Sequence, residues 1–184
     1  GKPHCLVCGT EIKRLGNEEI LNFIMDEVKG DAGKKAASIR IFSPLVRGRK
    51  GEYYQLLYDL LGKGYLMVRI DGVMKNLREK IELSKTKKHE IDVLVDEILL
   101  IDFKGKEKGL PATASSNTSG ADRRWQAGRE RLGEAVEKAL DESQSLVRIV
   151  LSNEKGDIKD FIMSNRFACP NDGFSYPEIE PRLF

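Results

Sequence analysis

The sequence predicts an α+β fold, mainly an antiparallel sheet with hairpins and about three helices, with zinc-knuckle-like segments at both ends. Three observations lead there. Asp71-Gly72 lies between two apolar runs and marks a tight primed turn. Residues 153–156 separate a second pair of such runs. Three stretches repeat apolar residues at helical spacing, in an order that mixes them with the strands and does not alternate regularly.

Taken in order, Asn17 is placed to cap a helix whose Ile20, Phe23, Ile24 and Val28 share one face, and Gly30 to Gly33 with Lys34 and Lys35 break it. Residues 38–42 read as a short strand stopped by Pro44. The basic stretch Arg47, Arg49 and Lys50 comes next as a glycine-flanked loop. Helical spacing resumes over 52–61 through Tyr53, Leu56, Leu57, Leu60 and Leu61, until Gly62 and Gly64 end it. Residues 65–70 and 73–77 form the first hairpin, and 89–101, rich in Ile, Val and Leu, reads as a central strand. The composition then changes. Residues 104–121 offer too little apolar surface to fold alone, which predicts a mobile surface loop. A last helix over 122–143 carries Trp125, Leu132, Val136 and Leu140 inward, although Gly128 and Gly133 weaken it. Residues 146–151 and 158–163 make the second hairpin. The expected organisation is a knuckle half and connector at 1–16, an interaction domain at 17–163, and a second knuckle half and connector at 164–184.

With 184 residues and a hydrophobic share of 40%, the chain has ample material for a core. Its 33% of charged residues nearly cancel, to a formal net charge of +2, so attraction to a polyanion has to come from local clusters. No apolar run is long enough to span a bilayer and no secretory pattern opens the sequence, which predicts a cytoplasmic protein without a membrane partner. Three cysteines, two of them as Cys-x-x-Cys, suit a reducing compartment and a metal better than a disulfide framework.

The two ends carry the clearest chemistry. "HCLVCGT" sets Cys5 and Cys8 on one turn with Gly9 behind them, the form of a zinc knuckle. "ACPNDGF" repeats the shape with Cys169 and, in place of the second thiolate, Asp172. Cys5, Cys8, Cys169 and Asp172 could close an S3O zinc site, with His4 as an alternative fourth ligand. The competing reading is two plain thiols on a frayed end and a buried Cys169 in a turn. There is no glycine-rich phosphate loop and no nucleophile–base arrangement, with only His4 and His89 available, so the chain alone is not expected to be an enzyme.

"PLVRGRKGEY", "VRIDG", "KKHEIDVLVDEI" and above all "FACPNDGFSYPEIEPRLF" resemble the bacterial nucleotide excision repair family UvrA, in the part inserted between segments of its first ATPase module. The resemblance runs from "KPHCLVCGTEI" to the last residue. It implies a piece of a much larger, homodimeric DNA-damage-sensing ATPase, comprising mainly the domain that docks the partner UvrB. DNA contact and both ATP sites would belong to the rest of that protein. Departures are visible: Asp172 stands where the family usually has a second Cys, and Met67 and Glu97 stand where it often has Arg.

Within that resemblance Arg47, Arg49 and Lys50, with Arg69 and Asp71 on the neighbouring hairpin, read as a docking edge for acidic side chains. Lys87, Lys88 and His89 extend it. The rival reading is a nucleic-acid-binding zinc module whose same basic loops track a DNA backbone. A third is a zinc-bearing scaffold with no partner of its own, in which the lysines are a solvated lead-in to a strand.

Overall fold

The computed structural model describes residues 4–11, 14–103 and 120–166. Six strands form one antiparallel sheet in the order β3-β2-β4-β1-β5-β6. They are β1 (Ser38–Lys50), β2 (Met67–Ile70), β3 (Val73–Asn76), β4 (Lys88–Leu99), β5 (Leu146–Asn153) and β6 (Gly156–Ser164). Four α-helices accompany them: α1 (Asn17–Lys29), α2 (Asp31–Lys35), α3 (Tyr54–Gly62) and α4 (Gly120–Ser143). A 3-10 turn, Leu100–Asp102, ends β4.

Strand β1 corrects the sequence reading most. It does not stop at Pro44 but continues to Lys50, so Arg47, Arg49 and Lys50 belong to a strand and not to a loop. Residues 38–42 pair with both β4 and β5, whereas the part of β1 from Pro44 onward pairs with β4 alone. Pro44 thus sits where the strand has a neighbour on one side only, the setting in which a strand tolerates proline. Between Val46 and Arg49 the register gains one residue on the β1 side, and Gly48 takes up the bulge with φ +60°. A side chain there would be strained in that conformation.

The helices differ from expectation at their ends. Asn17 is the first residue of α1, not its cap; Gly16 is the cap, and its N–H is taken by the Glu19 carboxylate at 2.8 Å. The break expected between Gly30 and Lys35 contains α2, the fourth helix. Phe23, expected to face inward, is 45% exposed and meets Phe161 edge-on at 5.6 Å. Gly128, a weakness in α4 by propensity, has a packing reason: a Cβ there would stand 2.9 Å from the Phe103 ring. The turn at Asp71 and Gly72 has the positive φ angles expected of it, 51° and 84°.

Two cores result. The larger packs α1, α2 and α4 against the sheet through Ile24, Ile39, Ile41, Leu132, Ile149 and their neighbours. The smaller joins α3 to β2, the start of β4 and the end of β1 through Leu57, Leu60, Val68, Ile91 and Val93. Because strand side chains alternate, the residues between these core positions point to the opposite face. Arg40, Arg69, Asp92, Arg148 and Asp160 all do so. Among the described residues no helix is long and apolar enough to cross a membrane.

Candidate functional site

The start of β4 and the end of β1 run antiparallel, so the two basic stretches that lie far apart in the chain meet at one end of the sheet. Arg49 is in register with His89, and Lys50 with Lys88. Arg49, Lys50, Lys87 and Lys88 are exposed. Like charges directly opposite each other on neighbouring strands are destabilising. The Lys50–Lys88 pair is therefore a feature the fold carries without needing it.

The remaining sequence-predicted residues sort differently. Asp71 sits on the β2–β3 turn, where one carboxylate oxygen lies 2.8 Å from His89 Nδ1 and the other accepts the Glu90 N–H at 2.8 Å. Burial works to raise the Asp71 pKa, but these bonds from His89 and Glu90 outweigh it and hold the carboxyl below its ordinary value. His89 is only 5% exposed and its second ring nitrogen meets the Ser84 carbonyl at 2.8 Å. Its ring is enclosed within the fold. Its bond to Asp71, then that to Ser84, raises its pKa above the ordinary 6.5, against burial and the nearby Lys87 charge.

Arg47 and Arg69 belong to an ionic layer on the helix-free face. Asp92 pairs with Arg148 Nε at 2.9 Å, Arg148 Nη1 with Asp160 at 3.0 Å, and Asp160 with Arg69 Nη1 at 3.1 Å. Burial pushes the Asp92 carboxyl up to about 6, with Arg148, Arg69 and Arg47 pulling the other way. The Arg47 side chain keeps Nε and Nη1 out of solvent. The Arg69 guanidinium lies 5.9 Å from the centre of the Phe42 ring. Sequence reasoning did not find this layer. Its one local signal is Asp92, a carboxylate within an otherwise apolar strand run. Glu97 is likewise bonded within the sheet, to Arg40 Nε and Ser38 Oγ, each at 3.0 Å.

At the N-terminal segment residues 4–11 form a tight turn closed by a bridge from His4 to Glu11. The Gly9 N–H donates to the Cys5 carbonyl at 2.9 Å, and the Cys5 N–H to the Thr10 carbonyl at 2.8 Å. Gly9 has φ +72°. The Val7 N–H donates to Cys5 Sγ at 3.4 Å. Cys5 is buried and Cys8 exposed. Among the described residues no group of three or more metal-ligating side chains converges, and Cys169 and Asp172 lie outside the described residues, as do residues 104–119 of the loop expected over 104–121, whose last two positions belong instead to α4.

A family profile described as "UvrA interaction domain" matches residues 17–108, half of the chain, which includes all eight residues of the predicted docking edge. Over its whole length the chain is similar to proteins named UvrABC system protein A. It is 36% identical to that of Aquifex aeolicus over 184 residues and 34% identical to that of Methanothermobacter thermautotrophicus over 185. For Thermus thermophilus the figure is 36% over 186 residues. In each case the chain spans 16% of the length of that relative.

Proposed function

From the premise that this chain belongs to the UvrA family, we propose that it serves in nucleotide excision repair as the segment that docks UvrB, through the exposed edge formed by Arg49, Lys50, Lys87 and Lys88. The observation that carries this reading is the Lys50–Lys88 register pair: two cations held face to face, against stability, by strands that could have ended in neutral residues. Such an edge recruits an acidic surface, where rim charges set encounter rate and register and desolvated ones set affinity. Arg47 and Arg69 support the sheet beneath it through the layer around Asp92, and Asp71 and His89 fix the adjoining turn. No catalytic step is assigned to these residues. ATP binding and DNA contact would belong to the remainder of a longer, homodimeric, cytoplasmic protein.

The rival reading, in which the same cations track a DNA backbone, is separated by a paired measurement. UvrB is captured by the chain without DNA, and a damaged duplex is offered without UvrB. Docking predicts capture in the first and no mobility shift in the second; the reverse pattern overturns it. We also propose zinc at Cys5 and Cys8, completed by Cys169 and Asp172, where the ion would act as a structural cross-link between the chain ends. Elemental analysis is expected to find zinc in the unaltered protein and none after Cys5→Ser. Loss after Cys169→Ser as well means that the two ends share one ion, and a zinc-free unaltered protein ends the proposal.

A further inference from the structure

Hydrogen-bond stoichiometry constrains the charge of the buried ring beside the docking edge. His89 Nδ1 lies 2.8 Å from an Asp71 carboxylate oxygen and Nε2 lies 2.8 Å from the Ser84 carbonyl oxygen. A carbonyl only accepts, and an ionised carboxylate only accepts. A neutral imidazole has one N–H, so one of its nitrogens would turn a lone pair towards an acceptor. The residue is only 5% exposed, and water cannot readily take over the lost bond. Asp71 is fixed independently: its N–H donates to the Glu90 carbonyl at 2.9 Å while its second oxygen accepts the Glu90 N–H.

On the docking reading above, we propose that His89 is a positioning residue, a doubly protonated imidazolium that staples the β2–β3 turn and the turn at 84–87 to the start of β4, so that docking weakens when the ring loses a proton. The staple holds three separate pieces of chain. The Ser84 carbonyl also accepts the Lys87 N–H at 3.3 Å, so the same oxygen closes the turn that carries Lys85 and Lys87. The charges around the ring are Asp71 and Lys75 on the hairpin, Lys87 in the turn, Glu90 next in β4, and Arg49 across the register on β1. Asp71 favours the imidazolium; Lys87 and burial oppose it. The balance favours the charged ring, so the staple is present below the ordinary histidine value of 6.5 and is lost only as pH rises through a higher value in the folded protein. At the acid end Asp71, held below its ordinary 3.8, stays ionised until the pH falls lower still.

The test is a pH titration of the nitrogen-15-labelled chain monitored through its imidazole resonances, which is tractable because only His4 and His89 are present. The ring is expected to titrate above the ordinary 6.5, with both nitrogens of His89 protonated below its midpoint. The backbone amides of Asp71, Ser84 and Lys87 are expected to shift with the midpoint of the ring, and Asp71→Asn to lower that midpoint by about one unit or more while leaving the chain folded. A His89 midpoint at or below 6.5, or amides that ignore the ring's titration, overturns the staple. UvrB affinity is then compared at pH 6 and pH 9. It is expected to fall at the higher pH in the unaltered chain, and Asp71→Asn should move that fall to lower pH. Equal affinity at both values overturns the regulatory half. If UvrB binds at neither pH, the docking reading itself fails, and the ring titration still decides the staple.

Discussion

The two halves of β1 obey different rules. Residues 38–42 lie between β4 and β5, with Ile39 and Ile41 fully enclosed and a strand paired on each side, the ladder to β4 stepping one register between Ile41 and Phe42. Residues 43–50 have β4 on one side only, and this half holds Pro44, the Gly48 bulge and all three cations. A strand that is central for five residues and an edge for eight can be rigid at one end and present charge at the other. The first half anchors the sheet to the larger core. The second is free of that duty, and irregularities that would break a central strand serve here to turn Arg49 and Lys50 outward.

The contrast is broken most forcefully from the central half. Ile39→Ala empties a fully buried site in the larger core and is expected to lower stability by about 2–5 kcal/mol in equilibrium denaturation. Pro44→Val, in the edge half, should change it by less than about 1 kcal/mol, since the strand has β4 alone as a neighbour there. Equal losses at the two positions would mean that β1 behaves as one unit.

A smaller effect tests the ionic layer that joins the halves. The Asp92 carboxyl titrates near 6 in the fold and near 3.8 unfolded, so the folded state holds the proton more tightly between those values. Stability contributed by this group therefore falls as pH rises from about 4 to 6 and is level above that. Against Asp92→Asn as reference, the unaltered protein should gain about 2 kcal/mol on acidification from pH 7 to pH 4. A difference that stays flat with pH would show Asp92 to be an ordinary carboxylate.

The smallest effect is at the far end of the strand. Lys50→Ala removes one member of the opposed lysine pair and should raise stability by a few tenths of a kcal/mol. A loss of stability instead would assign Lys50 a structural duty.

The sequence made local chemistry legible and hid what depends on distant partners. Asp71-Gly72 announces its own turn, because positive φ angles at both positions are a property of those two residues. The apolar stripe of α4 at Leu132, Val136 and Leu140 is equally self-contained. Pro44 misleads, because proline ends a central strand but not an edge, and edge status is decided by where β5 stops pairing, more than 100 residues later. Gly128 reads as a defect in isolation and as a fit once Phe103 is placed against it. The eight docking candidates emerge together from charge and resemblance. Their division into exposed cations, ionic-layer arginines and a buried histidine needs the register of β1 on β4.

The central claim is that the edge half of β1, with its partner lysine on β4, is the docking surface for an acidic partner. It is tested most directly by titrating UvrB calorimetrically against the chain carrying Arg49→Glu, Lys50→Glu and Lys88→Glu together, with thermal melting of the same variant as control. The account predicts at least a tenfold loss of affinity, about 1.4 kcal/mol or more, with a melting temperature no lower than that of the unaltered chain. Unchanged affinity in a folded triple variant would contradict it.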